Sequence, residues 1–374
     1  MKKLVVVALA SMSAMGIVQA QSDVTLYGVL DGGITVSKLK GDDTKVQMSN
    51  GNLYGNRWGL KGTEELGGGN YVGFVLEQGF KMSSGAEHKT GKAFSRQTTL
   101  KVGGQWGEIG LGRFGGLGSD LGSYSMLGGT PLMTGYSILG DMYGSFYLTD
   151  RYDNSIVYVS PNFGGWKLQM MYSNGVTGDD SKWSKNGHYY GVGVAYDSGA
   201  LKTNLIYEVL DNKNKKQIDG SNYKATQLLN LGMSYDFGTI KIYGAYELAI
   251  HSSLPGVDWK KYEAGTDVIP PILQSTGKGA NFNAFSLGAS APLWGGTLMG
   301  QTQYAFGKVK DKMNPNISGE DKFNTFSIGA AYVYPISKRT GLYSYGGWST
   351  AGKAAKLVND LRGWTGIFGM YHRF

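Results

Sequence analysis

The stretch GLGRFGGLGSD, from Gly110 to Asp120, contains a glycine spacing that in other proteins binds a dinucleotide. Gly110, Gly112 and Gly115 follow the pattern G-x-G-x-x-G, in which glycines let the backbone approach a pyrophosphate. That chemistry requires a buried parallel strand before the glycines and a helix after them, whose N-terminus meets the phosphates. The motif therefore predicts cofactor binding only if the surrounding elements form a βαβ unit.

Other residues that could catalyse a reaction or bind a metal do not form recognisable groups. The chain has no cysteine, and its four histidines do not pair at metal-ligand spacing: His88, His188, His251 and His372. Neither a G-x-S-x-G elbow nor an H-E-x-x-H helix is present. His188 follows Ser184 closely, but chance proximity in a loop explains that pair better than a lipase-like site. The sequence predicts no enzyme, no metal site and no cofactor.

The first twenty residues have the pattern of a secretory signal peptide. Two lysines precede the apolar run Leu4–Ala10, and Val18–Ala20 is an acceptable cleavage signature. Cleavage there predicts residues 1–20 as the signal and 21–374 as a single domain, because no linker or change of composition divides the rest. The alternative, a retained transmembrane anchor, is disfavoured by the short and interrupted apolar run.

The composition favours a β protein. The 374 residues include 60 glycines, 25 tyrosines, 14 phenylalanines and 8 tryptophans, whereas only 17% are charged. Beyond the signal no apolar stretch approaches the roughly 20 residues of a spanning helix. The formal net charge of +8 comes from scattered residues, and the cluster Lys213, Lys215 and Lys216 is typical of a solvated loop rather than a nucleic-acid surface.

Alternation with a period of two is the strongest structural signal. From Trp166 to Ser173 the residues Trp, Leu, Met and Tyr alternate with Lys, Gln, Met and Ser, and similar patterns occur at 229–237, 239–250 and 297–307. Such segments are strands with one apolar and one polar face. Their length of about ten residues suits a tilted strand in a membrane.

The connections between these segments alternate in length, as in a membrane barrel. Short turns occur at 66–70, 197–200 and 236–238, and long polar loops at 38–51, 211–222, 251–279 and 308–321. Tyrosines gather near strand ends, as in the aromatic girdles of such barrels. Sixteen segments can be counted from Val24–Val36 to Gly363–Phe374. The sequence thus predicts an all-β fold, a 16-stranded antiparallel transmembrane β-barrel around an aqueous lumen.

Three stretches resemble the general diffusion porins of Gram-negative β-proteobacteria: Gln21–Gly33, Arg57–Gly69 and the chain end Phe368–Phe374. The resemblance covers essentially the whole mature chain. It implies an outer-membrane homotrimer, surrounded by lipid and lipopolysaccharide, whose terminal Phe374 is read by the barrel assembly machinery. It also implies passive diffusion of small hydrophilic solutes, neutral or anionic, through the barrel.

The resemblance further implies that the third external loop folds into the lumen and narrows it. That loop is 115–150, and about 35 residues would be unusual for a structureless surface loop. Several apolar side chains suit packing against the inner wall: Met126, Leu127, Leu132, Met133 and Ile138. No βαβ unit surrounds the glycine motif, so we interpret it as the hinge from which this loop enters the pore.

Matching the family's motifs places Arg57, Lys61, Arg96 and Arg151 in the lumen as a basic constriction. Arg57 and Lys61 also have the same parity in their strand, opposite to that of its apolar residues. An inward position avoids the cost of about 2–4 kcal/mol for a charge on the lipid face. The alternative is that each is a solvated residue at the membrane interface.

Arg113 and three acids complete the candidate site. Arg113 has the parity of apolar neighbours, so we expect it in the lumen only if a β-bulge re-aims it. Asp120 and Asp141 are the acids within the predicted loop, and Asp31 is expected in the lumen either in conduction or as a structural hydrogen-bonding group. Two loop acids facing three or four cations predict a weak to moderate preference for anions.

Two other functions remain open from the sequence. Loop tyrosines would suit a substrate-specific channel for a carboxylate or a sugar: Tyr124, Tyr136, Tyr143 and Tyr147. The external loops would suit an adhesin or phage-receptor barrel.

The outward face of the first five strands is less hydrophobic than a lipid-facing wall, which is consistent with contact between subunits of a trimer. The residues that interrupt its hydrophobic pattern are Gly28, Gly32, Thr98 and Gly112.

Overall fold

The computed structural model describes residues 23–129, 145–175, 183–211, 224–253, 279–309, 322–357 and 361–374. The predicted signal peptide and Asp141 lie outside these residues. So does most of each predicted loop at 211–222, 251–279 and 308–321. None of the helices in the described ranges is long and apolar enough to cross a membrane.

In these ranges seventeen strand segments form one antiparallel sheet. They are β1 (Asp23–Leu39), β2 (Lys45–Asn50), β3 (Arg57–Gly67), β4 (Asn70–Gly79), β5 (Gln97–Gly104), β6 (Gly107–Gly115), β7 (Arg151–Val159), β8 (Trp166–Asn174), β9 (His188–Asp197), β10 (Leu201–Asp211), β11 (Thr226–Asp236), β12 (Lys241–Ser252), β13 (Ala280–Leu293), β14 (Gly296–Val309), β15 (Lys322–Pro335), β16 (Thr340–Lys353) and β17 (Gly363–Arg373). Pairing of β1 with β17 closes the sheet. Because β2 and β3 pair with successive parts of β1, they form one interrupted strand. The predicted 16-stranded barrel is confirmed.

The predicted loop at 38–51 is wrong in part. Strand β1 continues to Leu39, and residues 45–50 form β2 instead of a loop. Val46 and Met48 alternate with polar residues and lie opposite Val36 and Ile34 of β1. This short alternating stretch can therefore extend the barrel wall beyond the point at which the strand is interrupted.

The period-two pattern corresponds to the two faces of the wall. In β11, Leu231, Met233 and Tyr235 are exposed on the outside, whereas Asn230 and Ser234 are buried on the inside.

The barrel closes at the last residue of the chain. The amide of Phe374 donates to the carbonyl of Gly28 at 3.1 Å, the amide of Gly28 donates back at 3.0 Å, and the Phe374 ring covers Gly28.

The glycine motif lies where the chain leaves the wall. Gly112 has a φ of +135°, and a Cβ there would lie 2.0 Å from the carbonyl oxygen of Thr98. A Cβ at Gly115 would lie 1.9 Å from the carbonyl oxygen of Leu121. The strands on both sides are antiparallel, so the surroundings are those of a hinge and not of a βαβ unit.

Parts of the segment between β6 and β7 pack against the inner face of the wall. Its described parts are 116–129 and 145–150. Leu117, Tyr124 and Met126 are buried in one cluster with wall residues such as Tyr189 and Ile206. Phe146 is buried in a second cluster with wall residues of β11 to β16. Of the predicted apolar contacts, Leu132, Met133 and Ile138 lie outside the described residues.

Candidate functional site

Glu77 of β4 lies between two of the predicted basic residues. Arg57 Nε, at the start of β3, is 3.3 Å from one carboxylate oxygen, and Arg96 Nε, just before β5, is 2.7 Å from the other. Tyr27 donates a hydrogen bond of 2.9 Å to the same carboxylate. Two guanidinium groups share one carboxylate, so this cluster keeps a net positive charge.

Glu77 was not singled out from the sequence. Its parity within an alternating strand places it on the inner face, and that signal was readable. Its position between two arginines depends on the register of β3, β4 and β5, in which Arg57 lies opposite Gly79 and Glu77 lies opposite Gln97. No spacing within one strand reports that register.

Arg151 is the first residue of β7, directly after the infolded segment. Its side chain is buried, with the whole residue 8% exposed, and its Nε and Nη2 atoms have no hydrogen-bond partner among the described residues. The charges that act on it most strongly are those of Arg96, Asp150 and Glu77, which places it beside the Glu77 cluster. These two donors are shielded from the lumen, so Arg151 contributes to the site through its charge.

Asp120 is the loop acid nearest to these arginines. Its residue is exposed to the lumen, and Arg151 and Arg96 are the cations that act on it. Enclosure by the wall raises the pKa of the Asp120 carboxyl above its ordinary value, although these cations partly oppose the shift. Arg57, Arg96, Arg151 and Asp120 therefore lie in one region of the lumen.

Lys61 lies on the same face of β3 as Arg57, nearer the short turn. Its Nζ is 5.3 Å from the centre of the Tyr27 ring, and the residue is exposed. Tyr27 itself is bonded to Glu77. Lys61 is thus connected to the Glu77 cluster through one aromatic ring and does not contact the carboxylate.

Arg113 is paired with Asp153. Its Nη1 lies 2.6 Å from one oxygen of Asp153, and Lys92 Nζ lies 2.6 Å from the other oxygen. The register shifts between Gly112 and Phe114, but the extra residue belongs to β7, where Asn154 has a φ of +51°. Arg113 is therefore compensated within the wall and does not contact Glu77.

Asp31 is completely buried and accepts three hydrogen bonds through its carboxylate. The donors are the amides of Leu53 at 2.8 Å and Tyr54 at 2.6 Å and the hydroxyl of Tyr343 at 2.6 Å. Asn56 adds a bond of 2.9 Å to the Asp31 carbonyl. This geometry corresponds to the structural alternative rather than to conduction.

The residues that Asp31 holds form a lumenal strap, defined here as residues 51–56 between β2 and β3. Leu53 is buried against the inner wall with Tyr343, Tyr345 and Ile367. The carbonyl of Gly55 accepts a hydrogen bond of 3.1 Å from Arg57 Nη1. The strap therefore connects a buried anchor to the basic cluster.

Two carboxylates of the opposite wall hold the infolded segment. Glu208 Oε1 accepts from the amide of Gly118 at 2.8 Å, from Thr149 Oγ1 at 3.1 Å and from the Tyr189 hydroxyl at 2.5 Å. Glu247 Oε1 accepts from the amide of Tyr147 at 2.8 Å. Both glutamates are 0% exposed. Neither glutamate is predicted from the sequence to have this role, because their partners in the infolded segment are distant in the chain.

No group of three His, Asp or Glu side chains within the described ranges is arranged to hold a metal ion. The charged groups of the lumen instead form ion pairs and hydrogen bonds with one another and with the loop backbone. What this arrangement can do is to present fixed positive charge to a solute that passes through the barrel.

Comparison with known proteins identifies similar sequences over the whole chain. A family model described as "Gram-negative porin" matches residues 5–353. An outer membrane porin of Bordetella pertussis is 30% identical over 402 aligned positions that cover 100% of both chains. Outer membrane porin protein 32 of Delftia acidovorans is 31% identical over 90% of this chain and 86% of its own.

A solved structure described as an anion-selective porin from Comamonas acidovorans has the same fold. Its TM-score is 0.67 at 24% identity, and the match covers 95% of this chain and 100% of that chain. The trimer form of the outer membrane protein OmpT of Vibrio cholerae gives a TM-score of 0.60 at 13% identity, covering 94% and 99% of the two chains.

Proposed function

The chain belongs to the Gram-negative porin family, and we propose that Arg57, Arg96 and Arg151 give this outer-membrane channel a mild preference for anions. Family membership makes it an outer-membrane porin that passes small hydrophilic solutes and ions by passive diffusion. The proposal concerns how the lumen selects among them.

The observation that carries the proposal is the imbalance of charge around Glu77. Two arginines share its single carboxylate, and Arg151 beside them has two buried donors without a partner. The positive charges of these three guanidinium groups attract a passing anion and repel a cation. The Comamonas porin of the same fold is described as anion-selective, which agrees with this direction.

The test is the reversal potential across a planar bilayer that separates two concentrations of potassium chloride. We expect the wild-type protein to favour chloride and the Arg57→Ala/Arg96→Ala double variant to lose that preference. Lys202→Gln is the control, because Lys202 is exposed and paired with Asp197 at a short turn. An unchanged reversal potential in the double variant would refute the proposed mechanism.

The two alternative functions gain no support from the described residues. The hydroxyl of Tyr124 is bonded to Glu108 at 2.9 Å, and the amide of Tyr147 is bonded to Glu247. These tyrosines pack between the loop and the wall, whereas a sugar site would need exposed rings. Tyr136 and Tyr143 lie outside the described residues, as do most of the external loops that an adhesin or phage receptor would use. Since the relatives are channels, we propose no enzymatic role.

We further propose a homotrimer in lipid and lipopolysaccharide, assembled by machinery that reads Phe374. The likeness to a trimeric porin supports the oligomer, and the exposed position of Phe374 beside the barrel seam supports its recognition. Gly28 and Gly32 do not add to this argument, because Phe374 and Met82 of the same chain cover them. Heat-sensitive oligomers on an unboiled gel are the expected result.

A further inference from the structure

Arg373, the penultimate residue, lies on the inner face of the barrel. In β17 the inward residues include Ile367, which is buried against the strap, and Tyr371. Arg373 has the same parity and is exposed to the lumen. From the sequence we predict for this stretch only recognition of the chain end, because its lumenal contact with Tyr54 joins residues far apart in the chain.

Two tyrosines form a platform for the Arg373 guanidinium. Its Cζ is 4.4 Å from the centre of the Tyr54 ring and 5.4 Å from that of Tyr371. The two rings meet edge to face, 5.0 Å apart. The Tyr54 hydroxyl also interacts with the guanidinium, and the N–H groups that remain can meet an oxyanion. No ion pair of Arg373 occurs among the described residues, so its charge is not compensated there as that of Arg113 is.

Arg373 and Arg57 lie in the same row of the sheet. Both residues are opposite Val29 of β1, Arg57 on one side and Arg373 on the other. Adjacent strands are about 4.8 Å apart, so the two backbones are about 10 Å apart and both side chains point into the lumen. Arg373 is also among the charges that act on Arg57.

The lumenal strap aligns these arginines. Tyr54 stacks on Arg373, and the next residue, Gly55, accepts a hydrogen bond from Arg57. A Cβ at Gly55 would lie 2.5 Å from Arg96 Nη1, which shows how closely that guanidinium approaches the strap. Asp31 fixes the strap by bonding the amide of Tyr54.

We propose that Arg373, stacked on Tyr54 and Tyr371, is a further specificity-determining residue of the lumen and binds, together with Arg57, oxyanions that carry two or more negative charges. A guanidinium group matches carboxylate and phosphate oxygens, and two neighbouring guanidinium charges favour a multivalent oxyanion over chloride. The inference deepens the proposed anion preference and rests on it for the direction of the effect.

The experiment measures how inorganic phosphate at mildly alkaline pH reduces the chloride current through the reconstituted full-length channel. Wild type is expected to show saturable inhibition, and Arg373→Gln is expected to weaken the apparent phosphate affinity about fivefold, as for loss of one partly solvated charge contact. Arg373→Lys should retain the chloride preference but lose part of the phosphate affinity, because the ammonium group has no fork.

Lys338→Gln is the matched control. Lys338 is exposed in the turn at the same mouth of the barrel, and this substitution removes the same charge as Arg373→Gln. Phosphate affinity should not change in this variant. An equal loss in Lys338→Gln and Arg373→Gln would show only a general field at the mouth and would overturn the inference, as would an unchanged affinity in Arg373→Gln.

Tyr54→Leu removes one ring of the platform without altering the last strand. It therefore tests the inference even if Arg373→Gln does not assemble. Weakened phosphate inhibition in Tyr54→Leu supports the inference, and unchanged inhibition overturns it.

Different results would refute the proposed function and the further inference. Absence of chloride preference in wild type refutes the proposed function, whereas a normal chloride preference with phosphate affinity independent of Arg373 and Tyr54 refutes only the inference.

Discussion

Two regions of the lumen wall carry ionisable side chains and use them differently. On the side of β3 to β7, Arg57 and Arg96 share Glu77, and the neighbouring Arg151 keeps unfilled donors. On the side of β10 and β12, Glu208 and Glu247 are fully buried and bonded to the infolded segment. We propose that the first region presents charge to solutes, whereas the carboxylates of the second region are hydrogen-bond acceptors that hold the infolded segment. A count of inward charges alone would not distinguish them.

The largest expected effect comes from breaking the loop-holding region. Glu208→Ala removes the acceptor of three donors in a fully buried place, so we expect a loss of about 3 kcal/mol in the free energy of unfolding. Denaturant unfolding in detergent measures it. Glu208→Gln keeps a carbonyl acceptor and should lose much less. If Glu208→Ala is as stable as wild type, the carboxylate does not hold the loop.

The difference between these regions was only partly predictable from the sequence. Parity alone placed Arg57 on the inner face, and the same rule applies to Glu77 and Glu208. What each one contacts depends on strand register and on where the infolded segment lies, and neither is encoded in a local pattern. The lumenal strap shows this limit most clearly, because residues 51–56 turn inward to meet Asp31, more than twenty positions earlier in the chain.

A smaller effect separates the two arginines that flank the infolded segment, Arg113 and Arg151. Arg151→Gln removes a guanidinium with unfilled donors, so the ratio of anion to cation permeability should fall clearly. Arg113→Gln removes a charge that Asp153 already compensates at 2.6 Å, so the ratio should change little. Reversal potentials of both variants, measured in the same salt gradient, make the comparison. Equal effects would mean that Arg113 also faces the solute path.

The smallest expected effect is a pH dependence that arises from Asp120, which belongs to the infolded segment but faces the arginines. Enclosure raises the pKa of its carboxyl, so the group becomes neutral at a higher pH than an ordinary aspartate. Acidification from neutral pH therefore protonates this group before an ordinary aspartate would be protonated, which removes a negative charge beside Arg151 and should increase the anion preference. Because the pKa is raised in the folded state, the same protonation stabilises the fold slightly as the pH falls.

Asp120→Asn carries no titratable carboxyl at this position and should show the raised anion preference already at neutral pH. Its reversal potential should then stay nearly constant during the same acidification. A pH profile identical to that of wild type would place the titrating group elsewhere in the lumen. The flat profile, in contrast, would show that the segment held by Glu208 and Glu247 also brings a charge to the arginines. The loop-holding region would then influence selectivity through the position of one carboxylate, although its own glutamates never meet a solute.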